Sequence, residues 1–155
     1  MPLIQVSSSA EVGAPPSIVY GLIADYRVGH PSILPPKYFQ NLRVEEGGVG
    51  AGTRISFDMR LGRLWRLQAY VTEPESGRQL CEHYPDTGMV TTFTVDPAND
   101  GRHSLVTITT CSTKPGLPGW FEHWLMPRYL RPIFAAELQQ LDGVARARLA
   151  GPPPG

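Results

Sequence analysis

The sequence predicts an α+β fold: a curved antiparallel sheet of about seven strands wrapped on one long C-terminal helix, with two short helices between strands 1 and 2. Three observations carry this. Apolar and polar residues alternate with period two in one segment after another between Phe39 and Ser112. The breaks between those segments are short and rich in Gly, Pro and Asp, as antiparallel connections require. After Gly119 the period becomes helical, and one broad apolar stripe continues to about Arg148. A twisted sheet curls and its apolar concave face must be covered, which only that last helix is long enough to do.

The opening segment sets Ile4, Val6, Ser8 and Ala10 against Gln5, Ser7, Ser9 and Glu11, the alternation of a strand. Gly13-Ala14-Pro15-Pro16 stops it and starts a helix, since proline is tolerated in a first helical turn. Ile18, Val19, Leu22, Ile23 and Tyr26 form that helix's apolar face, which fades between Asp25 and Gly29. A second short helix around His30 to Leu34 ends at Pro35-Pro36, and this proline-rich piece is expected near the mouth of any cavity.

Six strands follow near 40–47, 53–61, 64–73, 78–84, 88–97 and 103–112. Ile55, Phe57, Met59 and Leu61 share a face with Trp65, Leu67, Ala69 and Val71 if Leu61 lies opposite Trp65 across a three-residue Gly62-Arg63-Leu64 turn. A two-residue turn would instead bring Arg66 and Gln68 to that face. The three-residue turn is preferred because it leaves one dry face and one wet face. In the final helix, Trp120 to about Arg148, the stripe comprises Phe121, Trp124, Leu125, Ile133, Phe134, Leu138, Leu141 and Ala145. Pro127 and Pro132 predict a kink or break near 126–132.

The 155 residues suit one domain over 1–148 followed by a flexible Pro/Gly tail, 149–155. Hydrophobic residues at 41% and charged residues at 18% argue for a globular chain over a disordered one. Fourteen basic residues balance fourteen acidic ones, which leaves no electrostatic footprint for nucleic acid or an anionic membrane. No apolar run approaches the ~20 residues of a membrane span, and the first residues lack a signal-peptide pattern, so the cytoplasm is the expected compartment. Cys81 and Cys111 have no metal-ligand spacing and read as free thiols. The four histidines are scattered, so neither a metal nor another cofactor is expected.

The chain resembles the START-like, helix-grip superfamily (SRPBCC), which includes the birch-pollen allergen, and within it the polyketide cyclase/dehydrase branch. The resemblance covers about residues 3–147. It rests on the opening strand running into Ala14-Pro15-Pro16-Ser17-Ile18-Val19-Tyr20-Gly21-Leu22-Ile23-Ala24-Asp25 and on the hairpin Val71-Thr72-Glu73-Pro74-Glu75-Ser76-Gly77-Arg78-Gln79-Leu80. Its third part is Gly116-Leu117-Pro118-Gly119-Trp120-Phe121 leading to Glu137-Leu138-Gln139-Gln140-Leu141. The order of elements carries more than any one motif. The resemblance implies a cavity under the long helix holding a hydrophobic small molecule such as a lipid, polyketide or aromatic compound, in a monomer or homodimer. Two alternatives stand beside it: a cyclase/dehydratase using the same cavity, as a minority of the family does, and, apart from the resemblance, an interaction module with a filled core. The family has no single catalytic motif to carry over.

Within such a cavity the expected apolar lining is Phe57, Met59, Trp65, Leu67, Phe93, Trp124, Tyr129 and Phe134. The polar candidates are Glu82, Tyr84, Thr91 and Glu137. If Leu80 faces inward then so do Glu82 and Tyr84, because strand side chains alternate; the opposite parity buries Cys81 and leaves Glu82 in water. Glu137 lies one turn from Phe134 and Leu141, either at the stripe's edge or in solvent. An inward carboxyl would have a raised pKa or find a partner, and could hold a ligand hydroxyl or transfer a proton.

Overall fold

A computed structural model describes residues 4–61, 63–112 and 126–151. Strand β1 (Ile4–Val12) is followed by helices α1 (Pro16–Ala24) and α2 (Gly29–Ile33). Then come β2 (Phe39–Glu46), β3 (Arg54–Leu61), β4 (Arg63–Glu75), β5 (Gln79–Tyr84), β6 (Met89–Ala98) and β7 (His103–Ser112), and last α3 (Met126–Ala150). The seven strands form one antiparallel sheet in the order β1-β7-β6-β5-β4-β3-β2. The first strand thus closes against the last, and the rest is a meander.

Alternation decides which side chains face the helices. Val6, Ile55, Phe57, Met59, Ala69, Val71, Leu80, Phe93, Val95, Val106 and Ile108 are buried on the inner face and join one core cluster with Leu130, Ile133, Phe134, Leu138, Leu141 and Ala145 of α3. Helix α1 adds Val19, Leu22 and Ile23 to it. Outside the cluster, Gln140 Nε2 donates to the Ser32 and Leu34 carbonyls, and Asp142 Oδ1 accepts the Gly13 N–H at 2.8 Å. These bonds tie α3 to the end of α2 and to the exit of β1.

The β3–β4 hairpin differs from expectation in register. Leu61 pairs with Arg63 and Met59 with Trp65, so neither the three-residue nor the two-residue turn is formed. The pairing is displaced by two residues from the preferred one, and a shift of two preserves parity. Phe57, Met59, Trp65, Leu67 and Ala69 therefore share a face as expected, but Trp65 moves outward along it. β5 first pairs with β4 at Tyr70, so residues 63–69 extend past it, and Trp65 is 41% exposed with the Arg63 guanidinium 3.8 Å from its ring centroid.

Helix α3 is continuous from Met126 to Ala150, without the break expected near 126–132, and it ends two residues beyond Arg148. Pro132 does lie inside, but Leu130, Ile133 and Phe134 around it are all buried, and this packing holds the turn together. The expected stripe residues Phe121, Trp124 and Leu125 lie outside the described residues, as does the expected start of the helix at Trp120.

Two leucines test this packing. Leu138→Ala on α3, 2% exposed, should cost about 2–5 kcal/mol in urea denaturation, whereas Leu105→Ala on the outer face of β7, 42% exposed, should cost less than about 1 kcal/mol. Equal losses would contradict the placement of α3 against the sheet.

Candidate functional site

One row across the inner face of the sheet is polar. Val71 pairs with Glu82, Glu82 with Thr91, Thr91 with Thr110 and Thr110 with Val6, so a carboxyl and two hydroxyls lie between two valines. The Thr91 and Thr110 hydroxyls are 2.7 Å apart and bond each other. The neighbouring row, Leu80, Phe93 and Ile108, is apolar and buried. Glu82 is 4% exposed in this setting. An unpaired carboxylate there would be costly, and the structure supplies donors to both its oxygens.

Those donors come from different elements. The Tyr26 hydroxyl, from the segment joining α1 to α2, donates to Glu82 Oε1 at 2.7 Å, and the Tyr84 hydroxyl donates to Oε2 at 2.5 Å. Tyr84 lies two residues along the same strand as Glu82 and so on the same face. Both phenols are pushed well above their ordinary pKa, first by burial of the hydroxyl and then by the adjacent Glu82 charge.

The placing of Tyr26 follows from local chemistry. Asp25 ends α1 and its carboxylate accepts the N–H groups of Arg27, Val28 and Gly29, capping the turn into α2. Backbone bonds from Tyr26 N to Gly48 O and from Gly50 N to Ala24 O fasten the same segment to the loop before β3. Gly29 passes so close to α1 that a Cβ would fall 2.6 Å from the Leu22 carbonyl oxygen, which is why only glycine fits.

His30 follows at once and is 2% exposed, stacked on Tyr26 with ring centroids 4.4 Å apart and edge-on to Phe93 at 5.6 Å. It belongs to the interior and not to a cavity mouth. Its Nδ1 lies 2.7 Å from the Ile23 carbonyl oxygen, which can only accept, so Nδ1 carries the hydrogen and Nε2 faces Glu82 Oε1 at 3.5 Å.

Glu137 of α3 approaches the cluster from the opposite side and is 3% exposed. Among the described residues its Oε1 is a buried side-chain oxygen with no hydrogen-bond partner. Burial raises its pKa well above the ordinary carboxyl value, and the Glu82 charge raises it further. The two carboxyls therefore differ in setting: Glu82 accepts a hydrogen bond on each oxygen, whereas burial and the Glu82 charge both favour the protonated form of Glu137.

Of the other expected lining residues, Phe57, Met59, Phe93 and Phe134 are buried in the core, and Phe57 meets the Tyr84 ring edge-on at 6.2 Å. Leu67 is half-buried, while Trp65 and Tyr129 are exposed at 41% and 46% and do not reach the acid cluster. Tyr129 instead lines a surface depression of about 280 Å³ with Lys37, Tyr38, Arg60, Arg128, Pro132 and Ile133. Trp124 lies outside the described residues. Sequence reading missed Tyr26 and His30 as members of the polar cluster. Tyr26 fits the apolar face of α1 by spacing alone, and nothing local signals that the turn at Asp25 carries His30 inward. No group of three or more metal-ligating side chains occurs among the described residues, and no helix among them is long and apolar enough to cross a membrane.

The chain is similar in fold to several solved structures. The KanY protein shares 29% identity with a TM-score of 0.79, over 94% of this chain and 99% of that one. A START superfamily protein from Mycobacterium smegmatis shares 14% with a TM-score of 0.73, over 92% and 97%. The Zhui aromatase/cyclase from Streptomyces sp. R1128 shares 19% with a TM-score of 0.70, over 96% and 98%. No curated protein matches the chain in sequence. The family model described as polyketide cyclase/dehydrase and lipid transport matches residues 4–146. With nearly its whole length matched and the sheet, helices and order of elements in place, the chain belongs to the polyketide cyclase/dehydrase and lipid transport family.

Proposed function

We propose that this protein binds a hydrophobic small molecule between the sheet and α3, with the acid cluster as the polar end of the site. The observation that carries this reading is Glu137 Oε1, a buried oxygen without a partner among the described residues, near enough to Glu82, Tyr26 and Tyr84 to interact with them electrostatically and on a helix whose buried face joins the apolar core. Protein interiors give the great majority of their buried polar atoms a partner, so an open valence on a buried carboxyl supports a site that a ligand completes. Residues 1–148 would act as one ligand-binding domain.

A second reading has a specific observation behind it. A neutral carboxylic acid beside a carboxylate held by two phenols is an acid–base pair, the arrangement that proton transfer in a cyclase or dehydratase needs. Under that reading Glu137 donates a proton to a leaving hydroxyl and Glu82 accepts one from carbon. Wild-type protein should then convert a β-hydroxy ketone to the enone, followed by its ultraviolet absorbance, and Glu137→Gln should lose the activity.

For the binding reading, 15N-labelled protein titrated with the neutral apolar fluorophore N-phenyl-1-naphthylamine should show saturable amide shifts concentrated at Glu82, Tyr84, Thr91, Phe93, Phe134 and Glu137. Absence of binding, or shifts confined to the surface, would favour a filled core and end this proposal.

The state of Glu137 is tested by stability against pH. Above the unfolded-state value of roughly 4.3, the folded chain keeps a proton that the unfolded chain has lost. The contribution of this group is therefore fully present below that value and is lost as pH rises toward the raised folded value, by up to about 1.4 kcal/mol per pH unit. Glu137→Gln removes the titration, so its stability curve above pH ~5 should be flatter than wild type by that slope. Parallel curves would show that Glu137 is not neutral in the folded protein.

A further inference from the structure

We infer that the polar group this site accepts is an uncharged hydroxyl, an alcohol or a phenol, and that the site rejects carboxylates of the same skeleton. This rests on the binding reading above and adds the chemical class of the ligand's polar end.

The argument is one of charge and valence. Glu82 already receives the Tyr26 and Tyr84 hydroxyls, one on each oxygen. Neither phenol has a second hydrogen to offer a ligand. His30 spends its Nδ1 hydrogen on the Ile23 carbonyl. No lysine or arginine is among the buried residues described. A ligand carboxylate would thus enter a dry interior beside the Glu82 carboxylate, with no lysine or arginine among the buried described residues to offset it and few donors near by, chiefly Glu137 and the one hydroxyl hydrogen that the Thr91–Thr110 pair leaves free. Burying a charge without a partner is among the costliest events in a protein interior.

A hydroxyl fits the same groups. The neutral Glu137 carboxyl has an O–H to donate and a carbonyl oxygen to accept with, and its Oε1 stands unpartnered. An alcohol or phenol has one donor and two acceptor lone pairs, so it can bond Glu137 in both senses at once. A ketone would use only the O–H of Glu137 and leave its acceptor empty. An ammonium group would be drawn to the Glu82 charge but must give up its hydration shell to place three N–H donors there, where Tyr26 and Tyr84 already take a lone pair on each oxygen.

The test uses matched skeletons, decan-1-ol with decanoate and decylamine, and 2-naphthol with 2-naphthoate and 2-naphthylmethylamine, each competed against N-phenyl-1-naphthylamine on the wild-type protein at pH 7. The hydroxyl member should bind at least about tenfold more tightly than the carboxylate and the amine of its series. A carboxylate or amine that equals or exceeds the hydroxyl compound overturns the inference while leaving the binding reading intact. If no member of either series displaces the fluorophore, both fall together. Glu82→Gln removes the interior charge, so in that variant the carboxylate should gain and the ratio should shrink toward one. An unchanged ratio in folded Glu82→Gln would also overturn the inference, and should that variant fail to fold, the wild-type ratios decide alone.

Discussion

A carboxylate in the middle of an apolar sheet face must be hydrogen-bonded on both oxygens, and for Glu82 that demand reaches into most parts of the fold. One donor comes from its own strand by alternation, since Tyr84 faces as Glu82 does. The other comes from Tyr26, which requires α1 to end at Asp25, the Asp25 cap to turn the chain, and Gly29 to let α2 pass against α1. The same turn delivers His30 to the stack beneath Tyr26. One buried charge thereby couples β5 to the α1–α2 corner, two parts of the chain more than fifty residues apart.

Helix α3 closes the interior through a mixture of apolar contact and a few directed bonds. Leu130, Ile133, Phe134, Leu138, Leu141 and Ala145 supply the area, and removing such surface from water is the main stabilising term. Gln140 and Asp142 supply direction, by meeting backbone groups at the ends of α2 and β1. Asp142 keeps a lowered pKa because the Gly13 N–H and Arg146 outweigh its partial burial. The orientation fixed by these bonds turns Glu137, on the same helix, toward Glu82.

Much of this was legible in the sequence because the period-two and period-3.6 patterns report which face is dry. The alternation at Leu80, Glu82 and Tyr84 already grouped the three on one face, and the stripe around Phe134 and Leu141 put Glu137 at its edge. What decided their direction was not local. Parity is relative, and only the pairing of Glu82 with Val71 and Thr91 fixes it absolutely. The same limit explains the hairpin: alternation cannot distinguish registers that differ by two residues, so the face of Trp65 was readable and its position along that face was not. Tyr26 and His30 were hidden for another reason. Their inward placement depends on a capped turn between two helices, a contact in three dimensions with no periodic signature.

The cluster makes little sense as a device for stability. Replacing buried ionised groups by apolar ones of similar volume is often neutral or favourable by about 1–4 kcal/mol, and leucine or methionine at 82 and 137 would continue the surroundings given by Leu80, Phe93, Phe134 and Leu138. Instead the interior holds two carboxyls, and the charge of Glu82 opposes ionisation of Glu137. Tyr26 and Tyr84 relieve one of them; nothing among the described residues relieves the other. The fold thus bonds one buried acid on both oxygens and leaves an oxygen of its neighbour open, while the Thr91 and Thr110 hydroxyls in the row of Glu82 bond each other. The asymmetry separates a fixed charge from a free valence, and that separation is the property a binding or proton-transfer site requires and a packed core does not.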